Sequence, residues 1–426
     1  MNNMFTNVNR IYGTLNLPGD KSISHRAVMF SAMAKGESII YNSLRSDDIN
    51  STIKCFANLG CEINQYDDVL KVKGVGFRGF REPEGDLDCG NSGTTARLIS
   101  GILSAQNFKS CLIGDPSLSV RPMKRIVNPL SRMGANIQPS EKGTLPLQIF
   151  PSESLHAIEY ELEVPSAQVK SAVLLAGIHL SDKTVVIEPI VTRDHTENLL
   201  NLRIEVESGK RKIYSSSDNY PEPKKYFVPS DVSTASFFIC LALLIPNSEL
   251  IIKNISLNKS RTGALDLFRL MGGRIEISDI KTNNGEAYGD LVIKNSSLKN
   301  IEIDETVVPN LIDEIPILSV VGLFSDGEFT IRNANELRVK ESDRINSLCY
   351  NYRMLGLDVE EYNDGFTVSG EIKNSNVKLK SFGDHRIAMS MSILAIIGKL
   401  DLTIDNIDCV SVSNPQFFDQ VESISK

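Results

Sequence analysis

The chain has 426 residues, with 45 Lys and Arg against 53 Asp and Glu, and a formal charge of −8. Hydrophobic residues make up 41% and charged residues 23%, an ordinary globular balance that excludes wholesale disorder and collagen-like structure. The length fits two or three domains, each large enough to bury a core without staples. The longest strongly apolar run, Phe237 to Ile245, falls well short of the ~18 residues that cross a bilayer. Met1 to Arg10 lacks a basic segment followed by an apolar one, so no signal peptide is expected. Seven scattered cysteines, an odd number, favour free thiols in a reducing cytoplasm. An acidic whole argues against a nucleic-acid binder.

In chain order, six segments share one pattern of polar start, apolar helix-length run, short turn and strand. They are Lys21–Asn42, Asn91–Gly114, Ser166–Pro189, Asp231–Asn254, Asp313–Asn333 and Asp384–Asn406, spaced by roughly 70 residues. In the fourth, Ser233 to Ile245 is apolar on nearly every side and predicts a buried helix. Pro246-Asn247-Ser248 ends it, and Glu249 to Lys253 alternates as a strand does. In the fifth, Asp313 is the expected N-cap and Pro316 falls in the first turn. A second, more amphipathic helix follows in each copy. Leu59-Gly60, Met133-Gly134, Met271-Gly272 and Leu355-Gly356 mark four of its ends, where Gly suits a left-handed stop. The third copy departs, with Arg203 read at the Gly position. The sixth, from Ser413, runs out of chain, and the N-terminal strand Asn9 to Leu17 is the candidate to complete it. Six βαβαββ-like units without polar capping repeats point to two three-unit domains rather than a solenoid. The domain crossings are expected near Leu17–Gly19 and Phe227–Asp231.

The six helix starts carry Lys21-Ser22, Asn91 to Thr95, Ser166 to Gln168, Asp231 to Ser233, Asp313-Glu314 and Asp384-His385-Arg386. A helix N-terminus offers N–H groups and partial positive charge to an anion. Ser, Asn and Asp there are also ordinary caps. Capping leaves the cations unexplained: Lys21, His25 and Arg26; Arg121; Arg338, Lys340 and Arg344; His385 and Arg386. A cation at a helix start opposes the dipole unless an anion arrives, and Arg suits forked capture of phosphate or carboxylate. The competing reading is ion pairing, strongest for Lys340, Glu341, Asp343 and Arg344. Asp313, Glu341 and Lys21 are the acid–base candidates. Gly74 to Gly79 fits GxGxxG, but Glu82, Pro83 and Gly85 follow where a helix should begin, so it reads as a strand and loop. No CxxC or HxxxH spacing supports a metal. His156 and His179 show no partner pattern.

Leu17-Pro18-Gly19-Asp20-Lys21-Ser22-Ile23-Ser24-His25-Arg26 resembles the N-terminal signature of the 5-enolpyruvylshikimate-3-phosphate synthases. So do Gly90 to Thr95, Ser119 to Met123, Pro165 to Ser171, Arg338 to Arg344 and Asp384 to Met389, in order along nearly the whole chain. The resemblance implies an α+β fold of α/β repeats: two inside-out α/β barrel-type domains of three βαβαββ units each, joined by a double crossover hinge. Residues 1–17 with 229–426 would form one domain and 18–228 the other. It implies enolpyruvyl transfer from phosphoenolpyruvate to shikimate 3-phosphate through a tetrahedral intermediate, in a cytoplasmic monomer that closes on its ligands. No cofactor, metal, nucleic acid or membrane partner is implied. By position, Lys21, Ser22, Arg26, Ser166, Gln168, Arg193, Asp313 and Lys340 would hold shikimate 3-phosphate. Lys21, Asn91, Gly93, Thr94, Arg121, Gln168, Arg344, His385 and Arg386 would hold phosphoenolpyruvate. Asp313 would be the base at the attacking hydroxyl and Glu341 the proton donor to the methylene carbon, with Lys21 beside both substrates. Gly93 would border the site of the inhibitor glyphosate.

Some positions depart from the family pattern. Val412 stands three residues before Pro415, where many relatives carry Lys, which gives His385 or Arg386 more of that role. Glu336 replaces an Asn of some relatives, Thr192-Arg193-Asp194-His195 replaces a Ser-led motif containing Tyr, and Ser230 replaces a Gly at the crossing. Two rivals share the repeat plan. A UDP-N-acetylglucosamine enolpyruvyl transferase would need a Cys in a Gly-rich loop, whereas Cys89 precedes Gly90-Asn91-Ser92 with no such loop. An RNA 3′-phosphate cyclase would need a nucleotide, a His nucleophile and a basic stripe.

Overall fold

The computed structural model describes residues 8–66 and 69–426, so most of the Met1 to Arg10 segment lies outside the described residues. The chain is mixed α/β and divides into two compact units. One holds the chain up to Pro18, Ser230–Lys281 and Ala287–Lys426; the other holds Gly19–Pro229 and Thr282–Glu286.

Strand β1 (Tyr12–Asn16) belongs to the first of these. The Gly19 unit then runs through α1 (Lys21–Met33), β2 (Lys35–Tyr41), α2 (Asp47–Asn58), β3 (Glu62–Tyr66) and β4 (Val69–Val75). Its second repeat is β5 (Leu87–Asp88), α3 (Gly93–Leu103), β6 (Ser110–Ile113), α4 (Lys124–Arg132), β7 (Asn136–Pro139) and β8 (Leu147–Phe150). Its third is β9 (Glu159–Glu161), α5 (Ala167–Gly177), β10 (Thr184–Glu188), α6 (His195–Leu200), β11 (Arg203–Glu207) and β12 (Lys210–Ser215). Three four-stranded sheets result, ordered β5-β6-β8-β7, β9-β10-β12-β11 and, with β13 (Lys225–Phe227) as lead strand, β13-β2-β4-β3. The lead strand of the first repeat thus arrives from the end of the unit: Lys225 lies opposite Ile39 in a parallel pair.

The other unit repeats the plan with attrition. The helices and strands α7 (Val232–Leu244), β14 (Glu249–Ser256), α8 (Gly263–Leu270), β15 (Arg274–Asn283) and β16 (Glu286–Lys294) complete a sheet ordered β1-β14-β16-β15. Next, α9 (Ile315–Leu323), β17 (Phe329–Ile331), α10 (Arg344–Met354), β18 (Asp358–Tyr362) and β19 (Gly365–Ser369) form a three-stranded sheet whose lead strand shrinks to one Lys299–Asp326 bridge. Last, β20 (Lys378–Leu379), α11 (His385–Gly398) and β21 (Thr403–Ile404) are followed by α12 (Phe417–Ile424). The N-terminal strand corrects the expectation that it completes the sixth repeat. Its body pairs in parallel with β14, Tyr12 opposite Glu249, and so leads the fourth repeat. The residues just before it meet the chain end, through an Ile11–Ser425 bridge and hydrogen bonds from Asn9 and Arg10 N–H to the Lys426 carbonyl.

Apolar periodicity explains the layers. Helices α7, α9 and α11 are apolar on nearly all sides and are buried along their lengths, as α5 is in the other unit. Strand β8 alternates buried and half-buried residues, as a strand with one face on the core does. Each unit has its own core, one around Phe237, Phe238, Tyr352 and Phe417, the other around Phe30, Phe56, Leu98 and Leu174. Each such fully buried side chain contributes about 1.5–3 kcal/mol. Helices α3 and α5 pack so closely that a Cβ on Gly101 would meet the Ala172 carbonyl oxygen at 2.1 Å.

The amphipathic helices end as expected, with Gly60, Gly134, Gly272 and Gly356 all at positive φ. In the third repeat the structure moves the stop: α6 ends at Leu200 and Asn201 takes the left-handed conformation, φ 50°. The 6→1 hydrogen bond that follows, Leu202 N–H to Glu197 O at 2.9 Å, matches Cys61 to Phe56 at 3.0 Å. Asn201 therefore holds the Gly position, not Arg203, because Asn tolerates this region at low cost. Ser230, buried at the crossing, donates its hydroxyl to the Leu17 carbonyl at 2.9 Å and its N–H to Asn254 at 2.8 Å.

Candidate active site

In the Gly19 unit the first turns of α1, α3 and α5 carry the expected residues. Asp20, Ser92 and Ser166 cap these helices by accepting from Ile23, Thr95 and Val169 N–H. A chain of side-chain hydrogen bonds ties two of the starts to α2: His25 Nδ1 to Thr52 Oγ1 at 2.7 Å, Thr52 to Thr95 at 2.7 Å, Thr95 to Ser92 at 2.7 Å. Burial, then the charges of Lys21 and Arg26, hold the His25 imidazole well below its ordinary range. His25 is thus a neutral part of the scaffold. Lys21 opens α1 and donates to Asp48 Oδ2 at 3.1 Å.

Arg26 is buried one turn further on. Its guanidinium donates to the Ser22 carbonyl at 3.0 Å, Thr196 Oγ1 at 2.8 Å and Ser171 Oγ at 2.8 Å. Burial lowers its pKa to about 10, opposed by Glu197, Asp20 and Glu286. Arg121 donates to Asn91 Oδ1 at 2.7 Å and Ser117 Oγ at 3.2 Å. Gln168 donates to Thr94 Oγ1 at 3.0 Å and accepts from Arg97 at 2.6 Å. Gly93 lies beside these: a Cβ there would stand 2.8 Å from Arg97 Nη1 and 3.5 Å from Arg121 Nη1. So Asn91, Gly93, Thr94, Arg121 and Gln168 are gathered, with Arg97 as a member that sequence reasoning missed. Arg97 stands four residues after Gly93 on α3, and that helical spacing was the signal. Arg193 is half-buried, and its charge depresses the Arg26 pKa.

The other unit assembles its residues around Arg344, the first residue of α10 and fully buried. Its Nε donates to Asp384 Oδ2 at 2.8 Å, its Nη1 to Asp313 Oδ1 at 3.3 Å and its Nη2 to Glu341 Oε2 at 2.6 Å. Burial would lower the Arg344 pKa, but Asp384, Glu341 and Asp313 together raise it above the usual Arg range. Lys340 Nζ lies 3.6 Å from Asp313 Oδ1. Arg386 donates to the Asp313 carbonyl at 2.6 Å and lies 3.7 Å from Glu314 Oε1. His385 is buried at the start of α11.

Two expectations change here. Asp313 does not cap α9: Glu314 occupies the cap position and makes no capping hydrogen bond, while the Asp313 side chain serves Arg344 and Lys340. Arg344 and Arg386, at or near helix starts, also need no arriving anion. Asp384 and Glu314, both fully buried, supply the negative charge beside Arg344 and Arg386. Arg338 is engaged away from this group, by Asp343 at 2.8 Å and the Asn363 carbonyl at 2.7 Å. Cys89 is buried, and its thiol pKa is pushed up by Cys55 and by burial. His179 packs against Phe77 and Tyr220, and His156 is exposed. The sequence placed Asp384 and Glu314 at helix starts but did not show their ion pairs, nor those of Lys170 and Glu197, because the partners are distant in sequence.

Chemically, the two groups offer guanidinium and ammonium donors suited to phosphate and carboxylate, and two carboxylates suited to moving protons. Comparison with known proteins agrees. A 3-phosphoshikimate 1-carboxyvinyltransferase of Syntrophomonas wolfei is 43% identical over 417 residues, covering 97% of each chain. One from Solibacter usitatus is 44% identical, covering 98% of each. A solved EPSP synthase from Acinetobacter baumannii superimposes with a TM-score of 0.84 at 36% identity, covering 98% of this chain and 96% of that one. The enolpyruvyl transferase NikO of Streptomyces tendae, at 15% identity and a TM-score of 0.74, shares the fold. The family model described as EPSP synthase (3-phosphoshikimate 1-carboxyvinyltransferase) matches residues 5–421, and the chain belongs to that family.

Proposed function

We propose that this protein transfers the enolpyruvyl group of phosphoenolpyruvate to the 5-hydroxyl of shikimate 3-phosphate, releasing 5-enolpyruvylshikimate 3-phosphate and phosphate on the way to chorismate. The observation that carries the reading is the family match over residues 5–421. The chemistry of the two residue groups supports it. Arg26, whose guanidinium is held by neutral oxygens, binds shikimate 3-phosphate together with Lys21, Ser22, Ser166, Gln168, Arg193, Asp313 and Lys340. Arg121, Arg344 and Arg386 bind phosphoenolpyruvate with Lys21, Asn91, Gly93, Thr94, Gln168 and His385. Asp313 takes the hydroxyl proton as the oxygen bonds to C2, and Glu341 delivers a proton to C3. A C3 proton then returns to Glu341, its bonding pair reforms the C2–C3 double bond, and the C2–O bond to phosphate breaks with its electron pair leaving on phosphate. Because Arg344 bonds to both Asp313 and Glu341, a substrate carboxylate competing for its N–H groups is coupled to both proton-transfer residues.

Among the described residues no helix is long and apolar enough to cross a membrane, and all seven cysteines are free thiols; we place the enzyme in the cytoplasm, as a monomer. Phosphate release is the test. Release with shikimate 3-phosphate and phosphoenolpyruvate, and none with UDP-N-acetylglucosamine as acceptor, is the expected result. The reverse preference would move the protein to the UDP-sugar branch.

A further inference from the structure

Beneath Arg26 lies an ionic cluster that the reaction does not use. Lys170 on α5 is wholly buried, 2.8 Å from Glu188 Oε1 and 2.7 Å from Glu197 Oε1, and both acids are wholly buried too. The surrounding turns of α5 are apolar, so this charge is retained against a large desolvation cost. Its neighbours in sequence show what it holds. Ser171 follows Lys170 and Thr196 precedes Glu197, and these two hydroxyls bond to each other at 2.8 Å. They are the two side chains that accept from Arg26. Glu188, the second acid, accepts from both the N–H and the hydroxyl of Thr192, the former at 2.8 Å. The Thr192 carbonyl accepts from Lys170 at 3.4 Å, and Arg193 comes next. Arg211 lies 3.6 Å from Glu188 and from Asp194.

We propose that Lys170, through Glu197 and Glu188, is a positioning residue for shikimate 3-phosphate: it fixes the Ser171–Thr196 hydroxyl pair under Arg26 and the Thr192-Arg193 segment beside it. This rests on the assignment of Arg26 and Arg193 to that substrate. One ammonium clamps α5, the end of β10 and the start of α6, and so sets the spacing of Arg193 and of Arg26, whose guanidinium is held by neutral oxygens. Glu197 also favours the charged form of Arg26. Burial lowers the Arg26 pKa to about 10 while Glu197, Asp20 and Glu286 raise it and Arg193 lowers it; His25 next to it stays neutral.

Three variants of the full chain test this: Glu197→Gln, which leaves Lys170 paired with Glu188; the charge-balanced double variant Lys170→Met with Glu197→Gln, which guards against misfolding; and Arg26→Lys as the reference. Glu197→Gln and the double variant should each raise KM for shikimate 3-phosphate about ten-fold, with KM for phosphoenolpyruvate and kcat within about two-fold. The alkaline limb of the shikimate 3-phosphate KM profile should move to lower pH in Glu197→Gln, because Arg26 loses a charge that favours its protonated form. A purely structural role would lower Tm and leave that limb in place. If Arg26→Lys raises KM for shikimate 3-phosphate while the other two variants leave it and the pH limb unchanged, the positioning role is overturned and the site assignment stands. If Arg26→Lys has no effect either, the assignment of Arg26 falls and the proposal with it.

Discussion

Two arginines, one in each unit, are held in opposite ways. In the Gly19 unit, Arg26 donates to the hydroxyls of Ser171 and Thr196 and to the Ser22 carbonyl. In the other, Arg344 is gripped by three carboxylates, and Arg386 and Lys340 also lie beside acids. Neutral partners orient a guanidinium and leave its charge for a ligand. Carboxylate partners cancel the charge locally and, in return, are themselves held in place. In the proposed reaction the first arrangement serves anion recognition, and the second holds Asp313 and Glu341 in place beside arginines that also bind phosphoenolpyruvate.

Removing Arg344 should break this contrast most severely. Arg344→Met leaves Asp384, Asp313 and Glu341 without their shared partner, and loss of one member of a buried ionic group costs about 3–5 kcal/mol. Arg26→Met abandons only neutral acceptors and should cost about 1–3 kcal/mol. Urea unfolding of both variants checks the order, and equal losses would dissolve the comparison. Acid adds a second reading. Burial would raise the Asp384 pKa, yet Arg344 beside it brings the net value below the usual Asp range. The depressed group therefore stabilises the wild type above about pH 4, the unfolded Asp value, and that contribution is lost as pH falls through the folded value. In Arg344→Met that acid-dependent loss should shrink.

Turnover sharpens the division of tasks. Lys21→Ala and Glu341→Gln should each lower kcat by at least ~100-fold, the lower scale of general acid–base catalysis. A Glu341→Gln enzyme with normal kcat would remove Glu341 from proton transfer. A smaller, selective effect is expected in Gly93→Ala. Its new methyl would meet the end of the Arg97 side chain at 2.8 Å and stand 3.5 Å from Arg121 Nη1. Arg97 is flexible enough to move, so Tm should change little. The inhibition constant for glyphosate, which is longer than phosphoenolpyruvate, should rise more than KM for phosphoenolpyruvate. An unchanged ratio with a lower Tm would make Gly93 a backbone residue only. The least effect belongs to Cys89→Ser. The thiol is buried and held protonated by Cys55 and burial, so steady-state rates should stay within about two-fold of wild type.

The helix starts, the Gly stops and the six repeats were legible because each is written in residues close in sequence. The misreadings share another cause. A Gly-based pattern points to Arg203 as a departure at the third helix stop, where Asn201 fills the left-handed position. Capping is local and points to Asp313, whose side chain instead serves Arg344, 31 residues on. Arg97 went unnoticed because only folding brings it to Gln168, 71 residues away.

By itself, then, the sequence determined the period, the buried helices, the family resemblance and the residue types of the site, since apolar spacing, turn chemistry and motifs are properties of short segments. The tertiary structure decided which repeat β1 leads, which oxygens hold each arginine, and why Lys170 is tolerated in an apolar helix. Those outcomes depend on pairing across tens to hundreds of residues. A strand edge or a buried charge is satisfied by whatever group the packed fold delivers to it, and that group is not written beside it in the chain.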